Sequence, residues 1–239
     1  MNTFLKTIAL LLLLIVLVKN AGAQNPISPP GVYIADPSAR VFNGTLYLYG
    51  STDKSCDYWC SHHHDVLFTN NMATWGLQQN VFGSKGQQDE VPYNNELLFA
   101  PDCAQKGDTF FLYYCQPANQ QSEGVATANS PKGPFTKGSS INLFGHSQID
   151  PAVFIDDDGT AYYLWGQFSL KMARLKPNMR EIDSASLHIG VLTEKGHHFH
   201  EGPYLTKHNG MYYLVYADIS REDKPTCLGY ATSETPFGP

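Results

Sequence analysis

Four segments of the chain share one polarity pattern. Each opens on a turn glycine and runs into an aromatic stretch: N-G-T-L-Y-L-Y (43–49), K-G-D-T-F-F-L-Y-Y (106–114), D-G-T-A-Y-Y-L-W (158–165) and N-G-M-Y-Y-L-V-Y (209–216). Aromatic and β-branched residues bounded by Asn, Asp and Gly predict strands entered through tight turns. The glycines Gly44, Gly107, Gly159 and Gly210 are spaced by 63, 52 and 51 residues. A second, small-residue strand follows each, at 66–72, 125–131, 172–178 and 230–236, and ends in Asn, Pro or Gly. G-V-A-T-A-N-S-P-K-G-P-F and G-Y-A-T-S-E-T-P-F-G-P come close to repeating each other. A unit of about fifty residues with at least three strands in fixed order predicts an all-β propeller blade. A β-sandwich explains regular strand spacing but not recurrence of the whole unit.

The stretch before the first unit has a different character. Lys6 precedes an apolar run from Ile8 to Val18, and Ala21-Gly22-Ala23 follows. Charge, short apolar run and small-residue site read as a secretory signal peptide over 1–23, too short for a membrane span. The expected mature domain is 24–239, outside the cytoplasm, secreted or periplasmic. That length holds about four blades, the last ending in mid-motif, so the expectation is a propeller truncated at its C-terminal end. Five cysteines, Cys56, Cys60, Cys103, Cys115 and Cys227, leave an odd thiol and open pairings. A net charge of −6 without a basic stripe argues against a nucleic-acid partner, and no membrane partner is expected after signal cleavage.

Counting back eight or nine residues from the repeat glycines reaches Asp36, Phe99, Asp150 and Glu201. The first strand of each propeller blade lines the axis, so these side chains are expected to converge on one funnel. Carboxylates are costly to bury, and three in phase with a repeat ask for a chemical reason. One carboxyl protonates a leaving oxygen, a second activates water or attacks a sugar, and a third tunes the first. Phe99 offers an apolar face to a sugar ring. Asp102 falls three places out of phase and reads as structural, and Asp156-Asp157-Asp158 reads as an exposed turn, not a calcium loop. His62-His63-His64 beside Cys56 and Cys60 does not fit zinc spacing and reads as surface histidines beside a loop disulfide. His197, His198 and His200 precede Glu201 either as edge-loop residues or within reach of the acid. Asn43-Gly44-Thr45 is a glycosylation sequon that coincides with a hairpin turn.

With these motifs in place, the chain resembles glycoside hydrolase family 43. The matching phrases are A-D-P-S-A-R-V-F-N-G-T-L-Y-L-Y at 35–49, F-A-P-D at 99–102, I-D-P-A-V-F-I-D-D-D-G-T-A-Y-Y-L-W-G at 149–166, E-G-P-Y-L-T-K-H-N-G-M-Y-Y-L at 201–214 and G-Y-A-T-S-E-T-P-F-G-P at 229–239. The resemblance implies a five-bladed β-propeller, with about four blades in this chain, and an inverting glycosidase acting on xylose- or arabinose-containing oligo- or polysaccharides. It implies Asp36 as general base, Asp150 as the carboxylate that orients the acid and raises its pKa, and Glu201 as general acid. It places Phe99 where many members carry a sugar-contacting Trp. No cofactor is required on this reading. A structural calcium at the axis belongs to the full-length family, near a histidine of the blade this chain lacks, so no metal ligand is assigned. A β-xylosidase or α-L-arabinofuranosidase is the leading expectation. An endo-arabinanase or galactosidase of the same family, a non-catalytic carbohydrate-binding propeller and an inactive fragment are the alternatives.

Overall fold

A computed structural model describes residues 27–55, 59–116, 123–221 and 226–238. The expected signal peptide and Cys56 lie outside these residues. Blade 1 comprises β1 (Tyr33–Phe42), β2 (Thr45–Asp53), β3 (His63–Thr69) and β4 (Gly76–Gly83). Blade 2 comprises β5 (Phe99–Lys106), β6 (Thr109–Cys115), β7 (Glu123–Ala128) and β8 (Thr136–Ser140). Blade 3 comprises β9 (Ala152–Ile155), β10 (Ala161–Trp165), β11 (Ser169–Arg174) and β12 (His188–Thr193). Blade 4 has, among the described residues, β13 (Phe199–His208), β14 (Met211–Asp218) and β15 (Cys227–Ser233). Every blade is an antiparallel meander. One helical turn, α1 (Glu194–His197), joins blade 3 to blade 4.

The four repeat glycines fall in the turns between the first and second strands, as the pattern predicts. Gly44, Gly107, Gly159 and Gly210 all have positive φ, from 58° to 81°, and a side chain there would strain the turn. The aromatic strand that follows is the second strand of its blade, and its alternate side chains enter two different cores. On β6, Phe110, Leu112 and Tyr114 pack toward blade 1, whereas Phe111 and Tyr113 pack toward blade 3. On β10, Tyr163 and Trp165 join the blade 2 side, and Tyr162 and Leu164 the blade 4 side. A strand buried on both faces reads as an unbroken apolar run, which explains F-F-L-Y-Y and A-Y-Y-L-W. On β14 the alternation reappears in burial: Tyr212, Leu214 and Tyr216 are buried, and Met211, Tyr213 and Val215 are half-buried. Val41 on blade 1 and Leu228 and Tyr230 on blade 4 are exposed apolar residues.

The blades meet at their innermost strands through one polar knot. Asp102 on β5 accepts from Ser38 Oγ (2.5 Å) and Arg40 Nε (2.7 Å) on β1, and from the Val153 amide (2.7 Å) on β9. Arg40 Nη2 also donates to Asp102 Oδ2 and, at 2.8 Å, to the Val153 carbonyl. The Tyr204 ring of β13 lies 4.8 Å from the Arg40 guanidinium carbon, and its hydroxyl donates to the Ala39 carbonyl at 3.1 Å. The out-of-phase Asp102 is therefore structural, and it joins three blades directly and the fourth through Arg40. A second tie links the outer ends of blades 3 and 4. Lys207 Nζ pairs with Asp156 (2.7 Å) and Asp157 (2.9 Å), so the acidic turn after β9 carries more than a reversal of direction.

Cys60, Cys103, Cys115 and Cys227 are free thiols, and the expected loop disulfide at Cys60 involves Cys56, which lies outside the described residues. Cys103 pairs in register with Leu112 and Cys115 with Phe99, which separates the two thiols by three residues of ladder, roughly 10 Å. His64 is not a surface residue. It is buried against Phe82, its Nδ1 meets the Gly50 carbonyl at 3.2 Å, and burial lowers its pKa to about 3.

Replacing Asp102 with Ala strands the Arg40 guanidinium in the interior. Urea unfolding should show a loss of about 3–5 kcal/mol. Glu181→Ala, which breaks the solvent-exposed pair with Lys176, should leave the midpoint essentially where it is. Equal losses from both variants would contradict this account of the knot.

Candidate active site

The innermost strands do more than meet; three kink at the same place, and the fourth, β9, starts just after the matching residue. A register shift falls between Ala35 and Ser38 on β1, between Phe99 and Asp102 on β5, and between Glu201 and Tyr204 on β13. At the kinks Asp36 (φ 49°), Ala100 (φ 22°), Asp150 (φ 62°) and Gly202 (φ 63°) take positive φ, and each precedes a proline: Pro37, Pro101, Pro151 and Pro203. Positive φ is costly for a residue with a Cβ, and bulges that re-aim side chains cluster at functional sites. The four X-Pro dipeptides line a single cavity of about 310 Å³, and Asp36, Asp150 and Glu201 all open into it.

This geometry refines the phase read from the glycines. Asp36 and Asp150 occupy the kink itself. Glu201 stands one residue before its kink, in the position that Phe99 takes on β5. The cavity wall in blade 2 is Ala100 and Pro101, and Phe99 is not among the residues that line it. The extra methylene of Glu lets a carboxylate reach the same space from one residue earlier, whereas Phe99 is not part of the lining.

Each carboxylate is held differently. Asp36 Oδ2 accepts from Ser51 Oγ at 3.0 Å, and Ser51 Oγ accepts in turn from the Ala100 amide at 2.8 Å. Ser51 reaches Asp36 because β1 and β2 pair Ala35 with Ser51. Close approach of these strands requires Gly50, where an added Cβ would lie 2.5 Å from the Ala35 carbonyl oxygen. Asp36 reaches solvent through the cavity mouth, yet desolvation by the surrounding wall raises its pKa; the Ser51 hydrogen bond opposes this, and the charges of Asp53 and Glu201 add to it. Asp150 Oδ2 accepts from the Gly202 amide at 3.0 Å. Burial first, then the charges of Glu201 and Asp36, push the Asp150 pKa up to about 7. Glu201 Oε2 accepts from Gln167 Nε2 at 2.7 Å.

Ser51, Gln167 and Gly202 were not legible as site residues. Ser51 is one serine in the ordinary strand Y-G-S-T, and only the pairing register reveals its task. The structure also buries Glu123, within electrostatic reach of Asp150; its Oε2 accepts from the Tyr163 hydroxyl, and burial raises its pKa well above the usual range. A larger cavity of about 620 Å³ lies between β12 and β15, lined by Met172, Leu205, Leu214 and Phe237, and no carboxylate opens into it. Among the described residues, no three His, Cys, Asp or Glu side chains stand together as metal ligands. No step is derived through a metal.

Three carboxylates of contrasting environment around one small axial cavity, with an Asp whose pKa approaches neutrality, define a propeller-type glycoside hydrolase. The chain belongs to glycosyl hydrolases family 43, whose sequence profile matches residues 23–239. It is 28% identical over 240 residues to xylosidase/arabinosidase 43A of Humicola insolens, covering 78% of this chain and 72% of that one. Its fold matches the GH43_1 enzyme of Xanthomonas citri complexed with xylotriose, with a TM-score of 0.75 and 28% identity, over 90% of this chain and 73% of that one. The fold likewise matches a GH43 β-xylosidase/α-arabinofuranosidase from a compost microbial metagenome, described as a calcium-free form in complex with xylotriose. There the TM-score is 0.75 at 24% identity, over 91% of this chain and 78% of that one.

The raised Asp150 pKa makes a stability prediction. The folded protein holds this proton above the ordinary aspartate pKa of about 4, so ionising Asp150 destabilises it as pH rises from there through about 7. Asp150→Asn keeps an acceptor for Gly202 and removes the charge. It should raise the thermal midpoint at pH 8, and the gain should close as pH falls toward about 4. A gain independent of pH, or a loss at pH 8, would contradict the assignment.

Proposed function

We propose that this glycoside hydrolase cleaves xylose- or arabinose-containing oligosaccharides with inversion, as a β-xylosidase or α-L-arabinofuranosidase. The observation that carries the reading is the convergence of Asp36, Asp150 and Glu201 on one axial cavity. The names of the relatives support the sugar class.

In this mechanism Asp36 is the general base. Ser51 holds its Oδ2, which leaves Oδ1 to take a proton from water as that water attacks the anomeric carbon. Glu201 is the general acid and gives its proton to the glycosidic oxygen as the C–O bond breaks toward that oxygen. Inversion needs room for the water between base and acid, a separation of roughly 6.5–9.5 Å. Asp150 holds the backbone beside the acid through the Gly202 amide. Phe99 precedes the lining residue Ala100, and its proposed role is to offer its ring to the sugar. The charged and apolar pattern over 1–23 supports work outside the cytoplasm, and the relatives' names support an oligo- or polysaccharide substrate.

Asp36→Asn on any aryl β-xyloside or arabinofuranoside, and Glu201→Gln on the unsubstituted phenyl glycosides whose leaving group needs the acid, should each lower kcat by about 10²–10⁴-fold while sugar binding is retained. Activity within a few-fold of the parent in either variant would overturn the assignment. Ser51→Ala removes a hydrogen bond that lowers the Asp36 pKa. Because the base acts ionised, the acidic limb of the kcat/KM profile should move to higher pH. A limb that stays put or moves down would count against Asp36 as base.

A further inference from the structure

The three histidines ahead of Glu201 have separate fates. His197 Nδ1 accepts from the Thr193 amide at 3.0 Å, within the turn of α1. His198 caps that turn with φ at 58°. His200 alone faces Glu201. Its Nδ1 donates to Glu194 Oε2 at 2.7 Å, and its Nε2 lies 3.9 Å from Glu201 Oε2. Among the described residues, these two carboxylates are the ion-pairing partners of the ring.

The ring is braced on a third side. Phe168 meets it edge-on, with centroids 5.3 Å apart at 70°. The Phe168 backbone is clamped between the same two elements: its amide donates to the His200 carbonyl at 2.7 Å, and its carbonyl accepts from the Glu194 amide at 2.9 Å. That clamp also sets Gln167, the residue before it, whose Nε2 donates to Glu201 Oε2. One small frame, made of α1, the turn after β10 and the start of β13, therefore aims two nitrogens at one oxygen of Glu201.

A carboxylic acid can deliver a proton only from the oxygen that carries it. An oxygen that accepts from an amide N–H is the carbonyl-like one, and the proton belongs on the other. At 3.9 Å the imidazole contact is electrostatic rather than a hydrogen bond, and such contacts tighten when substrate fills a site. We propose that His200, its Nδ1–H held by Glu194, is a positioning residue for Glu201: as an imidazolium it turns an Nε2–H toward Oε2 and with Gln167 holds that oxygen, so that Oε1 carries the proton and delivers it to the glycosidic oxygen. This rests on the reading of Glu201 as general acid.

The test uses the leaving group. Expelling a nitrophenolate needs little protonation, whereas expelling an unsubstituted phenolate needs the acid. Kinetics are measured on the 4-nitrophenyl and phenyl glycosides of one sugar. His200→Phe keeps the ring packing against Phe168 and should lower kcat about tenfold on the phenyl glycoside and about twofold or less on the nitrophenyl one, with KM unchanged. Glu194→Gln, a change at a partly exposed position, should act in the same direction by about threefold, and it decides the matter alone if His200→Phe does not fold. Equal losses on both substrates, or no loss on the phenyl glycoside, would overturn the proposal. Glu201→Gln in the same assay separates the two levels. A leaving-group-dependent loss supports the acid role whatever His200 does, and an equal loss on both substrates removes the acid role, and the positioning proposal with it.

Discussion

Everything at the axis depends on the ion pair between Arg40 and Asp102. Four twisted sheets arranged about a line have no continuous backbone hydrogen bonding between them, so side chains must hold their inner edges in register. Asp102 uses both oxygens to do this, accepting from β1 and β9, and Arg40 carries the link to Tyr204 on β13. A charge in this position is retained only because its partners saturate it. The pair lies close below the kinks that line the cavity: Arg40 is four residues past Asp36, and Asp102 two past Ala100. The same contacts that close the ring therefore fix the depth and direction of the cavity.

The cavity itself is built by strain. Asp36 and Asp150 sit at positive φ and are followed by proline, so neither can continue the ladder, and each is turned toward the axis. Blade 4 meets the same demand with Gly202, which adopts φ 63° freely and donates its amide to Asp150. That choice moves the carboxylate back one residue, where the longer Glu side chain restores the reach. Burial and mutual repulsion then separate the carboxylates into unlike environments, the condition for acid and base work at one pH.

Much of this was legible in the chain. The turn glycines located all four second strands, and apolar runs such as F-F-L-Y-Y signalled burial on both faces. The carboxylates were found by counting, but the count from Gly107 reached Phe99 where the cavity wall is Ala100. The X-Pro dipeptide was the better ruler, because the kink and not the turn sets the direction of the side chain. Ser51, Gln167 and the Glu194–His200 pair were hidden because their roles come from contacts between strands and turns distant in sequence. The histidine run at 62–64 misled for a related reason: period-two alternation on β3 sends His64 inward, and a polar-looking tripeptide conceals a core position.

The central claim is that Asp36 and Glu201 face each other across an intervening water and not across a covalent sugar–enzyme bond. Proton NMR of the first product formed from an aryl β-xyloside, taken before mutarotation equilibrates the sugar, tests it most directly. The account predicts α-xylose as the initial anomer (with an α-arabinofuranoside substrate, β-arabinose); initial release of the anomer that retains the substrate configuration would contradict it.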